Sequence, residues 1–246
     1  MKNIMNTKIK NSLLSLSIVL ALSSCANAAK KEQVNAAKNI WPNNDIQFCH
    51  AALDNAALQL DDFRKAYTDP RKIPTSFSND EVKFTNPFGW TSGFIAGNFW
   101  YLYEHKQDQS WLETSQKWTN ALEKMQFNRK THDIGFIMNN SYGNGLRLTK
   151  NDNYKPMIVN SARTLMERYN AKIGTTYSWS WGTWEFPVII DNMMNLELLF
   201  EASKLTGDKS FYDAAVSHAT VTMKHHFRED HSSYHLINYS RETGLP

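Results

Sequence analysis

The segments Asp108–Phe127, DQSWLETSQKWTNALEKMQF, and Asp208–Phe227, DKSFYDAAVSHATVTMKHHF, share one plan: an aspartate, a serine two places on, an aromatic, then an amphipathic run. An aspartate ahead of such a run satisfies the unpaired amides of a helix start, and the 3.6-residue period turns the apolar residues to one face. A third stretch, DNYKPMIVNSARTLMERY over 152–169, follows the same outline. Helices repeated in this way pack as stacked hairpins. Working outward, the same period runs through Ile46–Tyr67, Thr91–Tyr103, Ser110–Phe127, Phe136–Leu148, Asn153–Tyr169, Val188–Leu205 and Ser210–Phe227. No run alternates as a half-buried strand does, so the fold class read from the sequence is all-α. Longer connections near 70–90, 128–134, 171–187 and 228–246 contain NPFGWTSGF, NRKTHDIGF, TTYSWSWGTWEF and HSSYHLINYS. Loops on a rigid scaffold are where binding chemistry concentrates.

With 246 residues, 41% of them apolar and seven prolines, the chain can bury a sizeable core as one domain or a large part of one. Its formal charge of +3 creates no global field that argues for nucleic acid, and no nucleic-acid partner is expected. The start of the chain has lysines, an apolar run Leu13–Leu22 and small residues up to Cys25, the layout of an export signal. That run is shorter than the roughly 20 residues a membrane-spanning helix needs. LSSC, ending at Cys25, resembles the bacterial lipobox, which predicts a lipoprotein signal peptide over 1–24, lipidation of Cys25, a polar tether over 25–44 and a domain over 45–246. The expected location is the periplasm or outer membrane of a Gram-negative bacterium, with a membrane contact through the lipid. Only Cys49 then remains, so no internal disulfide is expected, and Cys49 reads as a buried, inert thiol.

Two carboxyl groups stand out. In VIIDNMMNLELLF, Val188–Phe200, Asp191 interrupts what otherwise reads as an interior helix, with Pro187 suited to its first turn. Asp191 is either a charge favoured by the helix dipole or a carboxyl group at the mouth of a pocket. Asp133 in THDIGF is either a cap or the partner of an acid/base pair whose environments push the two pKa values apart. His132 beside it reads as a hydrogen-bonded loop histidine. Trp90, Trp179, Trp181 and Trp184 lie in connections, where they serve the core or stack on sugar rings. His225, His226, His231 and His235 lack the spacing of a zinc motif. There is no glycine-rich phosphate loop and no nucleophile elbow, so neither a metal nor a cofactor is expected.

NPFGWTSGFIAGNFWYLYE, HDIGFIMNNSYGNG, TYSWSWGTWEFPVIIDNMMNLELLFEASKLTGD and SSYHLINYSRETG, in that order, together resemble glycoside hydrolase family 88, the unsaturated glucuronyl hydrolases. The resemblance runs from about Asp45 to the end of the chain. It implies an (α/α)6 barrel, incomplete here after about seven helices because the chain stops at RETGLP, and on that footing the 246 residues alone are expected to be poorly stable and inactive. The activity it implies is removal of the 4,5-unsaturated uronic acid from the non-reducing end of lyase-generated glycosaminoglycan oligosaccharides, by hydration of the C4=C5 double bond. By this resemblance Asp191 is the general acid and base, Asp133 its partner, Trp90 and Trp179 stacking residues with Trp181 able to replace the latter, and His132 and His235 polar pocket residues. The neighbouring alternatives are a hydrolase of unsaturated rhamnogalacturonyl pectin fragments and a glycan-binding lipoprotein without turnover. A physical conflict goes with the assignment, because a helix start lowers a carboxyl pKa whereas a general acid needs it raised.

Overall fold

The computed structural model describes residues 43–246, so the expectations for the signal peptide, Cys25 and most of the tether lie outside the described residues. The chain divides into two units, 1–56 and 57–246, with helix α1 (Asn43–Ala66) crossing the boundary. In the first unit the described residues are mostly exposed, Cys49 among them. The buried thiol expected there is therefore corrected: Cys49 sits on a part of α1 whose apolar residues, such as Phe48, are themselves uncovered.

The second unit is built from the predicted helices. They are α2 (Ser92–Lys106), α3 (Gln109–Asn120), α4 (Ile134–Met138) continuing through a π-turn into α5 (Asn144–Thr149), α6 (Lys155–Met166), α7 (Leu196–Thr206) and α8 (Lys209–His225). The repeated aspartates act as read from the sequence. Asp108 accepts from the Ser110 amide at 2.8 Å and Asp208 from the Ser210 amide at 2.9 Å, and the aromatics that follow, Trp111 and Phe211, are buried. The alternate helices α2, α4 and α7 pack in sequence, α2 on α4 and α4 on α7, while α3, α6 and α8 lie against them as a second layer. Close approach of α2 to α4 depends on Gly93, where a Cβ would fall 2.5 Å from the Ile137 carbonyl oxygen. Among the described residues no helix is long and apolar enough to cross a membrane.

The expectation that no strand would form is corrected by three antiparallel pairs. Strands β1 (Ile73–Ser78) and β2 (Glu81–Thr85) join through Asn79 and Asp80, both at positive φ, the two-residue turn that matches strand twist. Strands β3 (Tyr169–Asn170) and β4 (Thr175–Thr176) open the connection after α6. Strands β5 (Pro187–Ile189) and β6 (Leu236–Asn238) fasten that connection to the last segment of the chain. Pro187 thus begins a strand, not the first turn of a helix, because the segment pairs with β6 on one side and the Pro187 carbonyl accepts from the Ser178 amide on the other. A short apolar core of Ile173, Phe186, Val188 and Tyr239 sits beneath it. The helical turn starts only at Ile190, as a 3-10 turn, Ile190–Asn195, that leads into α7.

Candidate active site

Asp191 is the second residue of that 3-10 turn, and Asp133 is the residue before α4. The two turns are brought together by Gly135, whose missing side chain leaves room for Asn195. A Cβ at Gly135 would lie 2.4 Å from the Asn195 Cα. Asn195 uses that proximity twice. Its Oδ1 accepts from the Phe136 amide at 3.0 Å, and its Nδ2 lies 3.4 Å from His132 Nδ1. His132 Nε2 is 3.5 Å from Asp133 Oδ1, and Asp133 Oδ2 accepts from the Thr131 hydroxyl at 2.5 Å. His132, Asp133 and Asp191 consequently offer one side-chain atom each within 4.8 Å of one another.

The electrostatics follow from this crowding. Asp191 is pushed above the ordinary aspartate value first by burial and then by the charge of Asp133, and its Oδ1 is buried without a hydrogen-bond partner. Burial likewise pushes His132 below its ordinary value against the pull of both carboxylates, which favours the neutral imidazole. His132 and His235 pull the Asp191 pKa down, and burial together with Asp133 outweighs them. The conflict posed by a helix start is thus decided by desolvation, and the short 3-10 turn does not reverse it.

Of the remaining predicted residues, His235 is tied directly to the Asp191 turn. His235 is exposed, but its backbone carbonyl accepts from the Ile190 amide at 2.9 Å, continuing the β5–β6 ladder beside Asp191, and its charge acts on that carboxyl group. Trp179 stacks on Trp181 with ring centres 4.8 Å apart, its Nε1 buried and unpartnered, so the two alternatives read from the sequence form one stacked platform. Trp90 is 60% exposed and meets Phe94 edge-on, and Phe94 stacks on Phe136 in α4 at 5.4 Å, which ties Trp90 to the turn that begins at Asp133. His218, His225 and His226 are engaged elsewhere, with the Thr176 amide, the Tyr239 hydroxyl and the Tyr234 carbonyl.

Sequence reasoning missed the residues that hold these parts in place. Arg168 is 3% exposed, and its guanidinium donates to the carbonyls of Arg129, Tyr177 and Ser178 at 2.7, 2.9 and 2.6 Å. It thereby clamps the connection before Asp133 to the one that carries Trp179. The Ser178 hydroxyl donates to Asn192 Oδ1 and accepts from the Ile189 amide, both at 2.9 Å, which couples Trp179's neighbour to the residues flanking Asp191. An arginine near a helix end reads as solvated, and nothing local in LMERYN signals three carbonyl partners.

The family model for Glycosyl Hydrolase Family 88 matches residues 65–245. The chain belongs to glycosyl hydrolase family 88. The unsaturated glucuronyl hydrolase of Formosa agariphila is 46% identical over 220 residues, 88% of this chain and 52% of its own. The unsaturated chondroitin disaccharide hydrolase of Streptococcus pneumoniae is 30% identical over 202 residues, 79% of this chain and 50% of its own. A crystal structure of an unsaturated glucuronyl hydrolase specific for heparin superimposes with a TM-score of 0.77 at 41% identity, covering 79% of this chain and 53% of that one. The Streptococcus agalactiae unsaturated glucuronyl hydrolase gives a TM-score of 0.74 at 29% identity, covering 80% and 50%. These family 88 neighbours are (α/α)6-barrel enzymes, so the all-α reading and the stacked hairpins have their place in that fold. The chain spans about half the length of the curated relatives it matches.

Proposed function

We propose that the protein removes the 4,5-unsaturated uronic acid from glycosaminoglycan fragments by hydrating the C4=C5 bond, and that Asp191 is its acid and base. The observation that carries the reading is the cluster of His132, Asp133 and Asp191 with an unpartnered, buried Asp191 oxygen and a raised Asp191 pKa. The enol ether of an unsaturated uronate is nucleophilic at C4. Asp191 in its acid form delivers a proton there, leaving an oxocarbenium-like centre at C5, and the carboxylate so formed takes a proton from the water that adds to C5. The resulting hemiketal opens by breaking its bond from C5 to the ring oxygen, giving a ketone at C5. The exposed hemiacetal at C1 then expels the remaining sugar, so one water is consumed for each bond lost. Asp133 keeps the Asp191 proton available at working pH, while Trp90 and the Trp179–Trp181 pair present stacking surfaces for sugar rings. What supports the substrate class is the kinship with unsaturated glucuronyl and chondroitin disaccharide hydrolases. The pectin-fragment reading has no observation of its own in its favour.

The same three side chains are also the group, among the described residues, that could take a cation. Acid/base hydration needs none. Lyase digests of chondroitin, hyaluronan and heparin are therefore expected to lose their near-ultraviolet ene-carboxylate absorbance at the same rate before and after exhaustive chelation and dialysis. No loss of absorbance with any digest refutes the activity, and a rate restored only by added metal refutes the metal-free mechanism.

The proposal extends to export and anchoring. The lysine-bearing start, the apolar run and LSSC support a lipid on Cys25, with the domain held at a membrane of the periplasmic space. Cys25→Ser is expected to move the protein from the membrane fraction to the soluble or unprocessed one. A wild type already soluble after export would refute the anchor.

A further inference from the structure

Beside the candidate active site lies a cavity of about 560 Å³, lined by Phe88, Lys124, Phe127, Arg129, Lys130 and Thr131 together with Asn128. Its size falls within the range of small-molecule sites, roughly 300–1,000 Å³. Its two walls are the connections that carry the site: Phe88 is two residues from Trp90, and the Thr131 hydroxyl bonds to Asp133 at 2.5 Å. The phenyl groups are not core. Phe88 is 53% exposed and Phe127 65% exposed, so both offer open aromatic surface to the groove. The charge is one-sided. Three cations line it and no carboxylate does. Arg129 is paired with Glu167 at 2.7 Å and the Asp133 carboxylate is bonded to the Thr131 hydroxyl, so Lys124 and Lys130 are the lining cations offered to a ligand. The wall is also fixed in place, because the Arg129 carbonyl accepts from buried Arg168, the clamp that holds Ser178 next to Trp179.

From the position, the aromatic surface and the charge we infer that this groove binds a sulfated sugar of the oligosaccharide, one other than the unsaturated ring. The phenyl groups meet the apolar face of the sugar, and Lys124 and Lys130 meet the sulfate. Neighbouring cations attract a multiply charged anion more strongly than a neutral sugar, and the contribution is screened by salt. The inference rests on the proposed function for the identity of the substrate, and direct binding separates the two.

The test uses Lys124→Ala/Lys130→Ala and, separately, Phe127→Ala, all exposed positions. In the absorbance assay at low salt, the ratio of kcat/KM for sulfated over unsulfated unsaturated disaccharide is expected to fall about fivefold to tenfold in the double lysine variant. Titration calorimetry with a saturated, unreactive sulfated disaccharide reads the groove without turnover, so an inactive protein that still binds this probe through the lysines refutes the activity and keeps the groove. Phe127→Ala is expected to weaken that binding as well. A selectivity ratio and an affinity equal to wild type in the lysine variant overturn the inference. So does inorganic sulfate binding as tightly as the disaccharide, which would make the groove an anion site without a role for sugar.

Discussion

Asp191→Asn is expected to lower kcat by about 10²–10⁴, the range supplied by a positioned acid/base group, while raising the melting temperature at neutral pH. The amide has the volume of the carboxyl group but neither delivers a proton to C4 nor takes one from water. The stability gain follows from the direction of the Asp191 shift. Its folded-state pKa lies above the ordinary value of 3.8, chiefly through burial. The folded protein therefore holds this proton more tightly than the unfolded chain, and the wild type loses stability as pH rises from the unfolded value through the folded one. That loss is present at neutral pH and is complete once the pH exceeds the folded-state value. The asparagine variant is free of it, so it should melt higher, by on the order of 2–4 °C for each 1 kcal/mol recovered in a chain of this size. Below the ordinary value of 3.8, where both folded and unfolded chains hold the proton, the two proteins should melt together. Turnover within tenfold of wild type would remove Asp191 from the role of general acid, and a lower melting point at neutral pH would contradict the account of its burial.

The helices could be read from the chain because each carries its own signals: Asp108 and Asp208 cap, Trp111 and Phe211 anchor, and the period does the rest. The strands were hidden for different reasons. In β1 and β2 the positive-φ pair Asn79–Asp80 is a hairpin signal, but the flanking residues, Phe77 among them, are mostly exposed and do not alternate. Strands β5 and β6 are three residues each, shorter than any window that shows a period, and their pairing joins positions about fifty residues apart. Asp191 and Asp133 drew attention as carboxyl groups in apolar surroundings, and the motif resemblance supplied their roles. Their distance from each other was not legible. It depends on Gly135 admitting Asn195 and on Arg168 gathering three carbonyls, contacts that a sequence does not announce.

Asp133→Asn tests whether the two carboxyl groups work as a unit. The turn itself should survive, since an asparagine oxygen can still accept from the Thr131 hydroxyl and the Asp133 amide donates to Thr131 Oγ1 at 3.0 Å through its backbone. What disappears is a negative charge that raises the Asp191 pKa and draws His132 upward. With that charge gone, Asp191 loses its proton at lower pH. Because the chemical step needs the acid form, activity declines as pH rises through the Asp191 pKa, and this alkaline limb of the kcat profile is expected to move toward lower pH in the variant. His132 is expected to stay neutral, since burial already holds it down and the variant removes one of the groups opposing that effect. At neutral pH the rate should fall by about 10², and some of it should return on acidification, as Asp191 regains its proton. A structural cap would behave differently: loss of a cap lowers the melting temperature by the equivalent of about 1 kcal/mol and leaves the limb where it was. An unshifted limb with a wild-type rate would therefore reduce Asp133 to a turn residue, whereas a shifted limb with recovery in acid requires its charge to be felt at Asp191.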